Sequence, residues 1–163
     1  MSRAFVKEDN GDRLESLPDR PISSLPNYMT PNGHRAMHEQ LVQLERELAA
    51  LKGSEELSQK SRQAHLERDI RYYLARLQSA KLVEPPVHPP DQVRFGCTVT
   101  VVDAEKTECR YQIVGEDEAD IKQHKISWAS PLARSLMNKQ EGDTVLWQKP
   151  VGAVEIEIIR IES

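Results

Sequence analysis

The sequence predicts an α+β protein in two parts: an N-terminal antiparallel two-helix coiled-coil hairpin, then a small antiparallel sheet with one short helix. Three observations predict it. Two apolar ridges with heptad spacing flank a turn at Ser54-Glu55-Glu56. Four prolines fall in the eight residues from Val83 to Pro90. Beyond Asp91 the hydrophobic period changes from 3.5 to 2.

Residues 1–28 are charged and broken by Pro18, Pro21 and Pro26. They show neither a helical nor an alternating period, which points to a disordered arm. Ala4-Phe5-Val6 is its one apolar stretch near the start. The hairpin is expected over 29–82. Thr30 suits a helix cap and Pro31 the first turn, where no N–H is needed. Met37, Leu41, Leu44, Leu48 and Leu51 then recur at steps of 4 and 3. Gly53 ends this helix. The second starts near Glu56 or Leu57 and carries Leu66, Ile70, Tyr73, Leu77 and Ala80 at the same spacing.

An antiparallel hairpin pairs residues whose numbers sum to a constant. Leu44 with Leu66, Leu41 with Ile70, Met37 with Tyr73 and His34 with Leu77 give 110 or 111, which centres the turn on Glu55. Nearer the turn Leu48 meets Gln63 and Leu51 meets Gln59, so the seam becomes half polar. A finger less hydrophobic at its tip than at its base reads as a projecting probe.

Residues 83–90 are an extended proline-rich linker. Residues 91–163 form the second part. Strands are expected at Thr98–Val102, Arg110–Val114, around Lys125–Trp128, at Thr144–Gln148 and from Val154 to Ile161. Ser130-Pro131 starts the short helix. A turn near Glu105-Lys106 would set Cys97 opposite Val114. Cys97 and Cys109, the two cysteines of the chain, are expected to be reduced. Trp128 and Trp147 are core candidates.

Net charge is -4, so gross electrostatics do not announce nucleic-acid binding. Residues 31–82 carry nine basic and seven acidic side chains, residues 91–163 nine and thirteen. No run of 18 apolar residues would cross a membrane, and no apolar N-terminal stretch marks a secretory signal. The expectation is a cytoplasmic protein, monomeric because the hairpin closes on itself.

Two stretches carry a family resemblance. Phe95-Gly96-Cys97-Thr98-Val99, Ile113 through Asp120 (Ile-Val-Gly-Glu-Asp-Glu-Ala-Asp), Ser130-Pro131-Leu132-Ala133-Arg134 and Gly142-Asp143 resemble the C-terminal domain of the GreA/GreB transcription elongation factors. Met29-Thr30-Pro31-Asn32-Gly33 and the heptads resemble the start of their coiled coil. The resemblance implies an FKBP-like C-terminal domain that docks on the rim of the RNA polymerase secondary channel while the coiled coil enters. It further implies no active site of the chain's own: the polymerase cleaves its own backtracked transcript, helped by a Mg2+ ion shared with the tip. Docking falls on Ser130, Pro131 and Arg134, with Ala129 where some members have an acid.

At the tip the chain departs from the family. Its acidic loop is absent, and the hairpin is shorter by about one heptad per helix, about 10 Å of reach. Magnesium–oxygen distances are about 2 Å, so a tip set back that far would not share the ion. The alternative is therefore a non-cleaving channel regulator that competes with full-length factors. Regulators of nucleoside diphosphate kinase, with the same domain and a short coiled coil, are a second point of resemblance.

Glu55 and Glu56 are the carboxylates that could assist a metal, although adjacent glutamates in a turn also suit a helix N-terminus. Lys52, Lys60 and Arg62 could meet phosphates of a nascent RNA 3′ end, with Arg68, Arg71 and Arg76 further down. No aromatics interleave them, so neither base stacking nor sequence-specific DNA reading is expected. His34 and His38 have zinc-compatible spacing but no third ligand, so no metal or tightly bound cofactor is expected. Glu116, Asp117, Glu118 and Asp120 read as a solvated loop or a docking surface. A prolyl isomerase would need an aromatic-lined pocket, and a plain coiled-coil adaptor would need no tip chemistry.

Overall fold

In the computed structural model, which describes residues 16–163, Thr30 and Pro31 open the first helix as their chemistry requires. The Thr30 hydroxyl accepts from the Gly33 N–H at 3.0 Å. Helix α1 spans Pro31–Leu51. Gly53 then takes a φ of +83°, a backbone state glycine enters without steric cost. Helix α2 spans Leu57–Ser79, so α1, with its 21 residues, is about 32 Å long.

The seam follows the heptads. Met37, Leu41, Leu44 and Leu66 are buried. Toward the turn the contacts become polar, as the pairing arithmetic requires. The Gln63 amide donates to the Leu51 carbonyl, and Arg62 reaches Glu47 across the helices at 2.6 Å. At the base, strand β1 (Tyr28–Met29) runs parallel to β2 (Lys81–Leu82). This clasp joins the two ends of the hairpin, with Met29 almost wholly buried. Two-residue strands show no period, which is why the sequence does not announce them.

The expected disorder of 1–28 does not hold for residues 16–28; Ala4-Phe5-Val6 lies outside the described residues. The strap runs along α2. Asp19 meets Arg71 at 2.6 Å, and Arg20 lies over the Tyr72 ring at 3.8 Å. Asn27 is buried and donates to the Arg76 carbonyl at 2.7 Å. The α2 surface supplies the partners that the strap itself lacks.

Residues 83–90 form no helix or strand. The C-terminal part is a five-stranded sheet ordered β5-β4-β3-β7-β6, from β3 (Thr98–Asp103), β4 (Glu108–Val114), β5 (Lys125–Ser127), β6 (Thr144–Lys149) and β7 (Gly152–Glu162). Helix α3 (Pro131–Leu136) buries Leu132, Ala133 and Leu136 against it. The fold is α+β, with one departure from an all-antiparallel sheet. Strands β4 and β5 are parallel, because 310 turns at Glu116–Glu118 and Ile121–Gln123 carry the chain back before β5 begins.

The β3–β4 register also differs from expectation by one residue. The loop Ala104-Glu105-Lys106 has three residues, with Lys106 at φ +64°, so the pairs centre on Glu105. The Ile113 N–H donates to the Cys97 carbonyl, and Cys97 faces Ile113 instead of Val114. Both thiols are free. Trp128 and Trp147 flank the core half-buried. Trp128 packs edge-on to Tyr28 at 5.2 Å, joining sheet to hairpin base. No helix of the described residues is long and apolar enough to cross a membrane.

Leu66 is the most buried α2 residue of the seam. Leu66→Ala should lower unfolding free energy in urea by about 2–5 kcal/mol. A loss below about 0.5 kcal/mol, within the range of surface substitutions, would show that the seam does not hold the hairpin.

Candidate functional site

The tip is built by two helix ends and five residues between them. Ser54 N–H donates to the Leu51 carbonyl at 3.3 Å, and the Glu56 N–H donates to the Ser54 hydroxyl at 3.4 Å. Glu56 is the N-cap of α2 but does not cap with its side chain. Its carboxylate accepts from the Gln59 amide at 3.0 Å. Glu55 is exposed, and its carboxylate bonds no other described residue. Leu57, beside them, is 70% exposed. The tip thus presents two solvated carboxylates, one of them free of side-chain partners among the described residues. That donor set suits a hydrated magnesium ion completed by another molecule's oxygens.

The candidate phosphate ligands divide. Lys52 is exposed and Lys60 half-buried, and neither meets a carboxylate among the described residues. Arg62 is already paired with Glu47. A solvent-exposed pair contributes only about 0–1 kcal/mol, so Arg62 can exchange Glu47 for a phosphate at small cost. The stem arginines are different. Arg68 pairs with Asp69 at 3.2 Å, Arg71 with Asp19, and Arg76 is buried. Arg76 is therefore not a phosphate ligand.

What buries Arg76 is the acidic turn Glu116–Glu118, expected from sequence to be solvated or to face a partner. It faces the hairpin base. Arg76 Nε donates to Asp117 at 2.6 Å, and Arg76 also lies 3.7 Å from Glu116. The Tyr72 hydroxyl donates to Asp117. Ser23 donates to Glu116 at 3.1 Å. Glu118 accepts from the Thr30 N–H at 3.0 Å, from the Thr30 hydroxyl, and from the Gly115 N–H at 2.9 Å. A buried ion pair of this kind compensates desolvation only through such multiple bonds. Sequence reasoning missed this junction. The available signal was Gly33, a glycine inside a helix with no turn to make.

The docking candidates lie on the other part. The Ser130 hydroxyl caps α3 by accepting from the Ala133 N–H at 3.2 Å, while Pro131 and Arg134 are exposed. Ser130 is thus engaged in shaping the segment, and Pro131 and Arg134 form its outward surface. Among the described residues no three His, Cys, Asp or Glu side chains converge as metal ligands. An aromatic hollow does exist between Tyr111 and Trp147, also lined by Val101, Cys109, Val154 and Ile156, but it holds about 100 Å3. Sites for drug-sized ligands run to about 300–1,000 Å3, well above that volume.

Residues 88–163 match the family described as transcription elongation factor, GreA/GreB, C-terminal. A transcription elongation factor GreB from Neisseria meningitidis serogroup A is 39% identical over 152 residues, covering 83% of this chain and 93% of that protein. A GreA from Psychrobacter sp. is 40% identical over 151 residues, covering 82% and 95%. A solved GreA/GreB factor from Nitrosomonas europaea is 19% identical, with 85% and 99% covered and a TM-score of 0.42. The 152-residue match draws on 83% of 163 residues, so GreB holds residues within it that have no counterpart here.

Two phenols record how tightly the parts are packed. Burial, then the Asp117 hydrogen bond and charge, push Tyr72 up to about 12. Burial, then the Cys109 hydrogen bond and charge, push Tyr111 up to about 12. A raised phenol pKa favours the neutral form in the folded state. Its stabilisation is complete below pH 10 and is lost as pH rises from about 10 toward 12. Tyr72→Phe should therefore flatten the fall of the urea midpoint across that window. A fall as steep as in the parent protein would remove Tyr72 from the junction.

Proposed function

The chain belongs to the GreA/GreB family of transcription elongation factors, and from that premise we propose that it acts by entering the RNA polymerase secondary channel. The single observation that carries this reading is the tip itself. A hydrophilic point with two exposed glutamates stands at the end of a paired-helix rod of about 32 Å, away from helix α3, which carries Pro131 and Arg134. In this reading Ser130, Pro131 and Arg134 dock on the channel rim. Glu55, assisted by Glu56, offers oxygens to a Mg2+ ion shared with the polymerase. Lys52, Lys60 and a released Arg62 neutralise phosphates of the RNA 3′ end. The chain brings no catalytic residue of its own, so it is not an enzyme. The polymerase performs the cleavage, and the ligand set needs no tightly bound cofactor. The protein works as a cytoplasmic monomer without reading DNA sequence.

A second reading, occupancy of the channel without cleavage in competition with full-length factors, is favoured by one specific observation. The GreB relative has residues inside the matched span that this chain lacks, which fits a shortened rod. A tip about 10 Å short cannot complete a coordination shell about 2 Å in radius.

A stalled, backtracked elongation complex separates the two. Stimulated transcript cleavage, lost in Glu55→Ala/Glu56→Ala, supports the first; no stimulation, with inhibition of a full-length factor's cleavage, supports the second. If neither occurs and no polymerase is bound, both fail. In a pull-down with purified polymerase, Arg134→Glu should weaken binding at least tenfold. Unchanged affinity would take α3 out of the docking surface.

A further inference from the structure

The geometry points to Gly33 and Glu118 as positioning residues: together they form a latch that sets the direction in which the hairpin points. The Glu118 carboxylate is gripped from both sides. Thr30 holds it from the hairpin, through its N–H and hydroxyl, and the Gly115 N–H holds it from the sheet domain. Each body meets the carboxylate with a glycine. A Cβ on Gly33 would fall inside the Glu118 carboxylate, and a Cβ on Gly115 would fall against the Tyr28 carbonyl and Glu118. Neither glycine is needed for a left-handed backbone, since Gly33 is helical and Gly115 has φ -67°. Both are small because the two bodies touch there.

The latch is one of two bolts. Glu118 fastens the start of α1, while Asp117 fastens α2 through Arg76 and Tyr72. Beside the first bolt lies an open cleft of about 430 Å3, lined in part by Asn32, Gln40, Tyr73, Asp120, Gln123 and Lys125. The rod therefore has space to swing when Glu118 is displaced. With the α2 bolt as pivot, the arm to α1 is the interaxial distance, about 8–10 Å. A wedge about 2 Å thick at that arm tilts the rod by about 12°, and a rod about 32 Å long then carries its tip about 7 Å aside. That is several times a magnesium–oxygen distance of about 2 Å.

The consequence for transcription rests on the channel-entry reading, whereas the aim of the rod is measurable on the free protein. In a Cys109→Ser background, spin labels at Ser54→Cys and Lys139→Cys report the tip-to-body distance by pulsed electron resonance. Gly33→Ala should shift the mean distance by about 4 Å or more, or broaden it equivalently. Gly33→Ala/Glu118→Asp, which shortens the carboxylate arm to admit the methyl, should restore the original distribution. Should Gly33→Ala fail to fold, Glu118→Ala, which removes the bolt without a clash, should broaden the distribution. A lowered melting temperature with an unchanged distance would make the contact merely structural and overturn the latch. A shifted distance with unchanged effect on elongation would leave the latch standing and count against the channel reading.

Discussion

The fixed relation between the hairpin and the sheet domain depends on how three consecutive acids are held at the junction. Glu116, Asp117 and Glu118 form one 310 turn, and that turn collects donors from the strap, from α1, from α2 and from the sheet domain. Carboxylates leave water at high cost unless each oxygen is met. Here Asp117 has a guanidinium and a phenol, and Glu118 has three donors. The penalty for undoing any one of them is therefore felt by both halves of the chain. Two otherwise independent folds, each with its own apolar core, acquire a fixed relation through this turn.

Above the junction, stability is graded along the rod. The base has buried Met37, Leu41, Leu44 and Leu66, the β1–β2 clasp and the strap. The far third has Gln63, the Arg62–Glu47 pair and an exposed Leu57. Apolar burial supplies most of the free energy in such a hairpin, so opening is easiest where the seam is polar, at the tip. That gradient suits a point that must adapt to another molecule while its root stays fixed.

Much of this was legible. Heptad spacing located both hairpin helices, Thr30, Pro31 and Gly53 marked the ends of the first, and Ser130 marked the start of α3, because these signals are local and follow backbone geometry. The tip glutamates were legible for the same reason: a turn between two ridges must expose its residues. The junction was not. Arg76 reads as a surface cation until Asp117, 41 residues on, covers it. The strap looked disordered because its partners lie on α2, not in itself. The parallel β5 and the one-residue shift at Cys97 were hidden because loop conformation, not strand pattern, decides them.

The same distinction changes what the hairpin's charge means. Counted along the sequence, residues 31–82 are a mildly basic rod. In the structure Arg76 is buried, Arg71 and Arg68 face Asp19 and Asp69, and Arg62 faces Glu47. Along α2 the positive charge of the stem is largely neutralised by the chain itself, while Arg35 and Arg46 of α1 stay exposed. Screening confines what is left to about 8–10 Å at physiological salt. At the tip Lys52 and Lys60 stand near Glu55 and Glu56. A cation and a carboxylate side by side suit a phosphate–metal pair better than a bare duplex. An anion approaching the α2 face of the stem finds Arg68, Arg71 and Arg76 already paired, whereas at the tip it meets Lys52 and Lys60, which have no carboxylate partner among the described residues.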